Sequence, residues 1–279
     1  INMSVSRFLG LSLNDQANSV LNLATRVMEL PIGVFAAAIA TVIFPLIARH
    51  AARSDWSKLG EDYHKGLRLV MIVNVPAAVG LALLSEPVVR LLFQRGAFTA
   101  SDTVLMTPIL AVYALGLPFL AYTSVSLRGF YALKDTRTPV QAAAISFVVN
   151  IVLSLVLMRW LSTIGLALAG NLAVVAQAWY LQTRLSAKLP GLGFSPLLPN
   201  LAKIAAASVL MGLAVWGGVK ALSFVTLTGK AHDLVVVAGL IPAACSVYGV
   251  MLWIMKIEGR DELVRMWEKV SAKLRPRGA

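Results

Sequence analysis

Two opposite charges, Arg26 and Glu29, lie inside an apolar run that covers residues 17–45. On a helix that turns about 100° per residue, they share one narrow stripe with four further residues: Asn18, Asn22, Thr25 and Gly33. An arginine in the middle of a membrane costs on the order of 3 kcal/mol, so the stripe is expected to face a wet cavity or a partner. A guanidinium is a planar, permanently charged fork that matches phosphate and diphosphate groups. The stripe therefore favours an anionic substrate in a central cavity.

A structural role for the same two charges is the alternative. Arg26 and Glu29 stand three residues apart, so they could form an ion pair and help two helices to pack. Arg26 could also snorkel to a nearby interface. Pro31 removes a backbone donor and predicts a kink just after Glu29. The kink and the asparagines beside the charges favour the lining of a cavity over a packing role.

The composition is that of a polytopic membrane protein. The 279 residues are 58% hydrophobic and 14% charged, with a mean hydropathy of +0.77, whereas a soluble domain carries about a quarter charged residues. A net charge of +12 would suggest nucleic acid as the partner of a soluble chain. In a membrane protein the positions of the basic residues matter more than their sum. We therefore expect an all-α transmembrane helix bundle with no nucleic-acid partner.

Apolar runs predict seven full spans of a hydrocarbon core about 30 Å thick: residues 17–45, 69–84, 104–126, 140–158, 164–181, 204–222 and 234–255. Pro108 and Pro118 predict bends in the third span, and the sequence RWLS predicts a turn between the fourth and the fifth. The spans and their connections divide the chain into four segments: a remnant of a further transmembrane helix (1–11), a lobe of five spans (12–187), a linker with two C-terminal spans (188–256), and a charged amphipathic tail (257–279).

The basic residues are distributed unevenly between alternate connections. One set of connections, with the tail, holds 18 lysines and arginines and the other set holds 5. Because basic connections stay in the cytoplasm, the C-terminus is predicted inside and residues 12–16 outside. The basic connections could also contact anionic membrane lipids.

Sequence signatures of catalysis are missing. The chain has no Walker A motif, dinucleotide glycine pattern, HExxH, paired CxxC or GxSxG. Its three histidines, His50, His64 and His232, fall at predicted membrane boundaries, where a solvated histidine is ordinary. Helices broken by proline around a cavity are typical of transporters. We therefore expect a transporter without a cofactor rather than an enzyme.

Three stretches carry a resemblance to a known family: ATRVMELPIGVFAAAIATVIFPLIARHAA (24–52), LLFQRGAFTASD (91–102) and RGFYALKDTRTPV (128–140). In this order and spacing they resemble the eighth transmembrane helix and two later loops of the MurJ (MviN) lipid II flippases. That family belongs to the multidrug, oligosaccharidyl-lipid and polysaccharide exporter superfamily. The resemblance implies a fold of two six-helix lobes, with two extra C-terminal helices that form a groove for the lipid tail. On that map the seven spans are helices eight to fourteen, so the chain is the C-terminal lobe plus the extra pair.

The resemblance also assigns roles to the polar stripe. Arg26 matches a cavity arginine that contacts the lipid II diphosphate, Glu29 matches its neighbour in the motif, and Asn18, Asn22 and Thr25 complete the expected substrate-binding set. The family usually has an acidic residue where this chain has Thr25, which would change how Arg26 is held.

Some members of the family bind Na⁺, and the residues that align with that site are Asn2 and Ser154, with Asn150 one turn earlier. Neutral side chains make a poor cation site. We therefore expect no metal, and transport driven by the membrane potential or by the gradient of an ion that the sequence does not identify.

The resemblance implies that the protein moves lipid II, the undecaprenyl-diphosphate-linked cell-wall precursor, from the inner to the outer leaflet of the bacterial cytoplasmic membrane by alternating access. Its expected partners are lipid II, membrane lipids and the N-terminal lobe. Two alternatives are another exporter of the same superfamily, for a lipid-linked polysaccharide or a drug, and a membrane scaffold that transports nothing. A cationic drug would favour an acidic cavity, whereas this stripe pairs one glutamate with an arginine.

Overall fold

A computed structural model describes residues 15–31, 33, 37–223 and 229–259, and the regular structure within these ranges is helical. The helices are α1 (Asp15–Pro31), α2 (Ala37–Ala52), α3 (Trp56–Leu83), α4 (Ser85–Phe93), α5 (Ala100–Leu115), α6 (Leu117–Ala132), α7 (Arg137–Lys188), α8 (Leu198–Leu222) and α9 (Lys230–Ile254). Two 3₁₀ turns, Pro190–Leu192 and Ser195–Leu197, connect α7 to α8. The all-α prediction is confirmed for this part of the chain.

The described helices are those of a multi-pass membrane protein. Four are long and apolar enough to cross a membrane: α3, α7, α8 with its preceding turn, and α9. The pair α5 and α6 makes a fifth if it is counted as one bent span. The first predicted span, 17–45, falls on α1 and α2, and the centre of that span lies outside the described residues, as do the predicted remnant 1–11 and most of the tail.

The amphipathic segment before the second predicted span is part of the same helix. α3 begins at Trp56, thirteen residues before the predicted start at residue 69, and Asp55 caps it by accepting a hydrogen bond from the backbone N–H of Lys58. Buried Leu59, Tyr63 and Leu67 follow at intervals of four, so one apolar face continues into the span. The helix therefore begins well before the predicted span 69–84 and includes much of the connection that precedes it.

The third predicted span is broken near its middle. α5 and α6 meet at Gly116 with a bend of 41°. Pro108 lies within α5, whereas Pro118 occupies the first turn of α6, where a missing N–H is tolerated. The bend is therefore located before Pro118, and no break occurs at Pro108.

α7 is a hairpin of two antiparallel limbs, 137–161 and 163–188. Ser162 has a non-helical backbone, with φ 50° and ψ −129°. The Tyr180 hydroxyl donates to Gln141 Oε1 at 2.8 Å across 39 positions, which a straight helix would hold about 58 Å apart. The limbs match the fourth and fifth predicted spans, so the turn predicted at RWLS is confirmed.

Asp135 closes the open end of this hairpin. Its carboxylate accepts hydrogen bonds from the backbone N–H groups of Arg137 and Thr138 at 3.0 and 3.1 Å, and it contacts Lys188 Nζ at 2.5 Å. Desolvation raises the pKa of Asp135, but the hydrogen bonds from Lys188 and Thr138 outweigh it and lower the pKa well below its ordinary value. Asp135 has a lower pKa in the folded protein than in the unfolded chain, where it is about 3.9. Its contribution to the free energy of unfolding is therefore fully present above that pH and is lost as the pH falls through the folded pKa.

Asp135→Ala is expected to lower the free energy of unfolding by about 1 kcal/mol, because α7 loses its cap and the bond to Lys188. Asp135→Asn keeps an acceptor for the two N–H groups and is expected to cost less. Thermal unfolding of the purified protein in detergent at neutral pH measures both variants. Equal stability of Asp135→Ala and the wild type would contradict this role.

The apolar core has two parts. In the smaller cluster, Val20, Ala24 and Met28 of α1 pack with residues of α5, including Met106 and Ile109. The larger cluster joins α2, α3, α6, α7, α8 and α9. α1 packs mainly on α5, so its position depends on the direction in which α5 runs.

α9 is joined to α3 through a backbone carbonyl that a proline leaves open. Pro76 has no N–H, so the Ile72 carbonyl lacks its helical donor, and the buried Tyr248 hydroxyl donates to it at 2.8 Å. Two ion pairs lie near the ends of α9: Arg90 Nη1 with Asp233 Oδ1 at 3.1 Å and Arg68 Nη1 with Glu258 Oε2 at 2.5 Å. α9 is thus held along its length by the helices beside it.

Candidate functional site

The polar stripe lies on α1, beside the face that packs on α5. Val20, Leu21 and Ala24 are at most 2% exposed. Arg26 and Glu29 are exposed, Asn18 and Asn22 are half-buried, and Thr25 is buried. The five predicted residues therefore lie on one stripe of α1. The stripe runs along the boundary between the face buried against α5 and the exposed face.

The ion pair that the sequence suggested does not form. Within the described residues, neither Arg26 nor Glu29 has an ion-pair partner, and both are exposed rather than buried. Residues three apart on a helix diverge by about 60°, and no described helix covers this side of α1 to hold the two side chains together. The guanidinium is therefore available to an anion.

The residue before the arginine binds its own helix. Thr25 Oγ1 donates to the Leu21 carbonyl at 2.8 Å, the back-bonding pattern of threonine within helices. Thr25 therefore leaves Arg26 without the neighbouring carboxylate that the family motif usually supplies.

Asn18 keeps an open acceptor on the same stripe. Its Oδ1 atom is removed from solvent and has no hydrogen-bond donor in the described part of the chain. Asn22 is hydrogen-bonded. An unsatisfied buried acceptor costs about 1–3 kcal/mol, so a donor that reached Asn18 would be bound favourably.

The residues aligned with a cation site bind each other. Asn150 and Ser154 are fully buried on α7, and Ser154 Oγ donates to Asn150 Oδ1 at 3.2 Å. Asn2 lies outside the described residues. Within the described ranges, no group of three or more His, Cys, Asp or Glu side chains could hold a metal ion. Ion coupling stays a prediction.

Sequence reasoning missed the contact that holds the first turn of α1. Gln16 Nε2 donates to Asp102 Oδ1 at 2.5 Å, while Asp102 Oδ2 accepts from the Thr99 N–H at 2.7 Å. Thr99 and Asp102 form the capping box of α5, and the Thr-x-x-Asp spacing in FTASD is the signal that could have located it. The capping carboxylate of α5 thus also positions α1.

Gln16→Glu is expected to loosen α1 from α5, because it places a second carboxylate beside Asp102. Adding Asp102→Asn should restore the contact, since the asparagine amide can donate to the new glutamate. The measurement is hydrogen–deuterium exchange of the first turns of α1, which should rise about fivefold for a loss near 1 kcal/mol and return in the double variant. Unchanged exchange in Gln16→Glu would contradict the contact.

Comparison with known proteins places these features in a family. The family model described as "Lipid II flippase MurJ" matches residues 1–232. The chain belongs to the MurJ family. A probable lipid II flippase MurJ of Rhizobium meliloti (strain 1021) is 35% identical over 246 residues, which cover 85% of this chain and 45% of that protein. One of Thermotoga maritima is 28% identical over 269 residues, with coverage of 95% and 50%.

Solved structures agree with this assignment. A structure of the lipid II flippase MurJ in an inward closed conformation matches with a TM-score of 0.74 at 27% identity, covering 91% of this chain and 50% of that one. An outward-facing multidrug resistance MATE transporter of the MOP superfamily shares the fold, with a TM-score of 0.57 at 16% identity and coverage of 96% and 64%. The chain spans about half the length of the MurJ proteins it matches.

Proposed function

We propose that this chain is the C-terminal part of a lipid II flippase, in which Arg26 binds the diphosphate of the lipid-linked peptidoglycan precursor. The observation that carries the proposal is the exposed Arg26, which has no ion-pair partner among the described residues, on a polar stripe of a membrane protein of the MurJ family. The proposed activity is transport of lipid II from the inner to the outer leaflet by alternating access.

Arg26 suits a diphosphate for a chemical reason. Its guanidinium can donate two parallel hydrogen bonds to phosphate oxygens and keeps its charge at every physiological pH. Because no described carboxylate neutralises it, the substrate would provide the compensating charge. Glu29, on the same side of α1, does not pair with Arg26 in this structure, and in the proposal it orients or releases Arg26 at another stage of the transport cycle.

Asn18 contributes a second kind of contact. Its Oδ1 acceptor, which is removed from solvent and unpaired among the described residues, suits an amide or hydroxyl donor once α1 is exposed to the substrate, and the sugar–peptide head of lipid II carries both. Asn22 and Thr25 complete the stripe.

The remaining parts of the chain have roles in the same proposal. α8 and α9 supply the groove for the lipid tail, and the N-terminal lobe of the family provides the facing wall of the cavity. The protein lies in the bacterial cytoplasmic membrane with its C-terminus inside, which is supported by the distribution of basic residues. Transport is driven by the membrane potential or by an ion gradient.

The test uses cells depleted of their own flippase that carry the full-length protein containing this chain. The amount of lipid II accessible at the outer leaflet is measured with an impermeant probe. We expect accessibility and growth to be restored. Failure by a well-expressed, correctly inserted protein would overturn the proposal and favour transport of another lipid-linked sugar by the same fold.

A further inference from the structure

The bend between α5 and α6 leaves the Val112 carbonyl without its helical donor. In a continuous α-helix the Gly116 N–H would donate to the Val112 carbonyl, four residues earlier. Here it donates to the Tyr113 carbonyl at 2.9 Å instead. The Val112 carbonyl therefore needs a donor from elsewhere in the fold.

Asn171, from the second limb of α7, provides that donor. Its Nδ2 atom donates to the Val112 carbonyl at 2.5 Å. The amide fits only because residue 116 has no side chain, since a Cβ at Gly116 would lie 2.2 Å from Asn171 Oδ1. The glycine and the asparagine thus form one joint, in which the first opens the space and the second fills it.

This joint lies between the helix that carries the polar stripe and the larger core. α1 packs mainly on α5, before the bend, whereas α6 packs on α3 and α7 after it. α5 also packs on α3, α4 and α7, so the angle at Gly116 acts together with these contacts to set where α1, with Arg26, stands relative to α6.

We propose that Asn171 is a positioning residue for transport, which holds the bend at Gly116 and thereby places Arg26 in the cavity. The role of Arg26 in this inference rests on the proposed function. The role of Asn171 in placing α1 rests on the joint alone.

The test measures the position of α1 directly in the full-length protein in lipid nanodiscs. Spin labels are attached at Leu30 on α1 and Leu213 on α8, both exposed, after Cys245→Ser removes the single native cysteine of this chain and any other cysteine has been replaced. Double electron–electron resonance then gives the distance distribution, and the outer-leaflet lipid II assay gives transport for the same variants.

We expect Asn171→Ala to shift or broaden this distance and to lower transport about tenfold or more, because small misplacements of a binding group have large effects on rate. Asn171→Asp keeps the shape but loses the donor, so it should behave similarly and provides a second variant if the alanine form does not fold. Gly116→Ala should act like Asn171→Ala. Gly170→Ala, where a Cβ would meet nothing within 4 Å, is the matched control and should change neither readout.

The double variant Gly116→Ala/Asn171→Ala tests whether the two residues act as one unit or whether each substitution causes an independent defect. Once the amide is absent, the added methyl group has room, so the double variant should be no worse than Asn171→Ala alone. Additive losses in the double variant would overturn the inference.

The same measurements distinguish this inference from the proposed function. Wild-type distance distributions in Asn171→Ala and Asn171→Asp would overturn the positioning role, whatever transport does. A shifted distance with unchanged transport would also overturn it. If Arg26→Ala transports lipid II normally while Asn171→Ala still moves α1, the proposed role of Arg26 fails and the placement of α1 by Asn171 stands.

Discussion

Arg26→Ala is expected to abolish rescue of flippase-depleted cells by the full-length protein, while its level in the membrane stays unchanged. The side chain is exposed and has no ion-pair partner in the described structure, so its removal should leave packing intact and remove only the contact with the diphosphate. Loss of a charge-assisted bidentate pair that the bound substrate would shield from water costs about 3 kcal/mol or more, which is over a hundredfold in transport.

Two further variants test whether fork geometry or charge alone matters. Arg26→Lys keeps the charge but loses the planar fork, so it should also fail. Arg159→Ala removes an exposed arginine near the turn of α7 and is the matched control, which should grow normally. Normal growth and lipid II accessibility with Arg26→Ala would contradict the assigned role.

Gly165→Ala is expected to prevent the α7 hairpin from closing. A Cβ at this position would lie 2.4 Å from the Leu157 carbonyl oxygen and 2.6 Å from its carbon. Both are backbone atoms of the opposite limb, so no side chain can move aside, and the cost should be about 3 kcal/mol or more in the free energy of unfolding. The yield of monodisperse protein and its thermal midpoint in detergent measure the effect.

Gly170→Ala is the control for this prediction too, because it makes the same chemical change five residues later on the same limb with nothing within 4 Å of the new methyl group. It should keep or slightly raise the thermal midpoint, since alanine favours a helix over glycine by up to about 1 kcal/mol. If the two variants had the same stability, the close approach of the limbs at Gly165 would be refuted.

Local patterns were sufficient for much of the fold. The apolar runs located α8 and α9, and the polar sequence RWLS located the turn of α7 at Ser162. The 100° periodicity placed Arg26 and Glu29 on one stripe. Each of these properties depends on residues within a few turns of each other, which is the range over which a sequence pattern carries direct information.

The errors came from contacts between distant residues. Bends were predicted at Pro108 and Pro118, but the helix is broken only just before Pro118. Asn171, which donates to the carbonyl opened by this break, comes from another helix. The alternative that Arg26 and Glu29 form an ion pair rested on spacing alone, whereas pairing also requires a neighbouring helix that confines both side chains. Gln16 and Asp102 lie 86 positions apart on two helices. The sequence pattern could indicate that Asp102 caps α5, but not that it also binds Gln16.

The hydrogen bond between Tyr248 and Ile72 has a consequence for biosynthesis. Its two residues are 176 positions apart, so α3 enters the membrane long before the donor for its open carbonyl has been made. A bare carbonyl is costly in hydrocarbon, and until α9 is inserted the open Ile72 carbonyl must keep a water molecule or a temporary neighbour. α3 is therefore expected to enter the bilayer with a hydrated Ile72 carbonyl, and the insertion of α9 replaces that water with the Tyr248 hydroxyl.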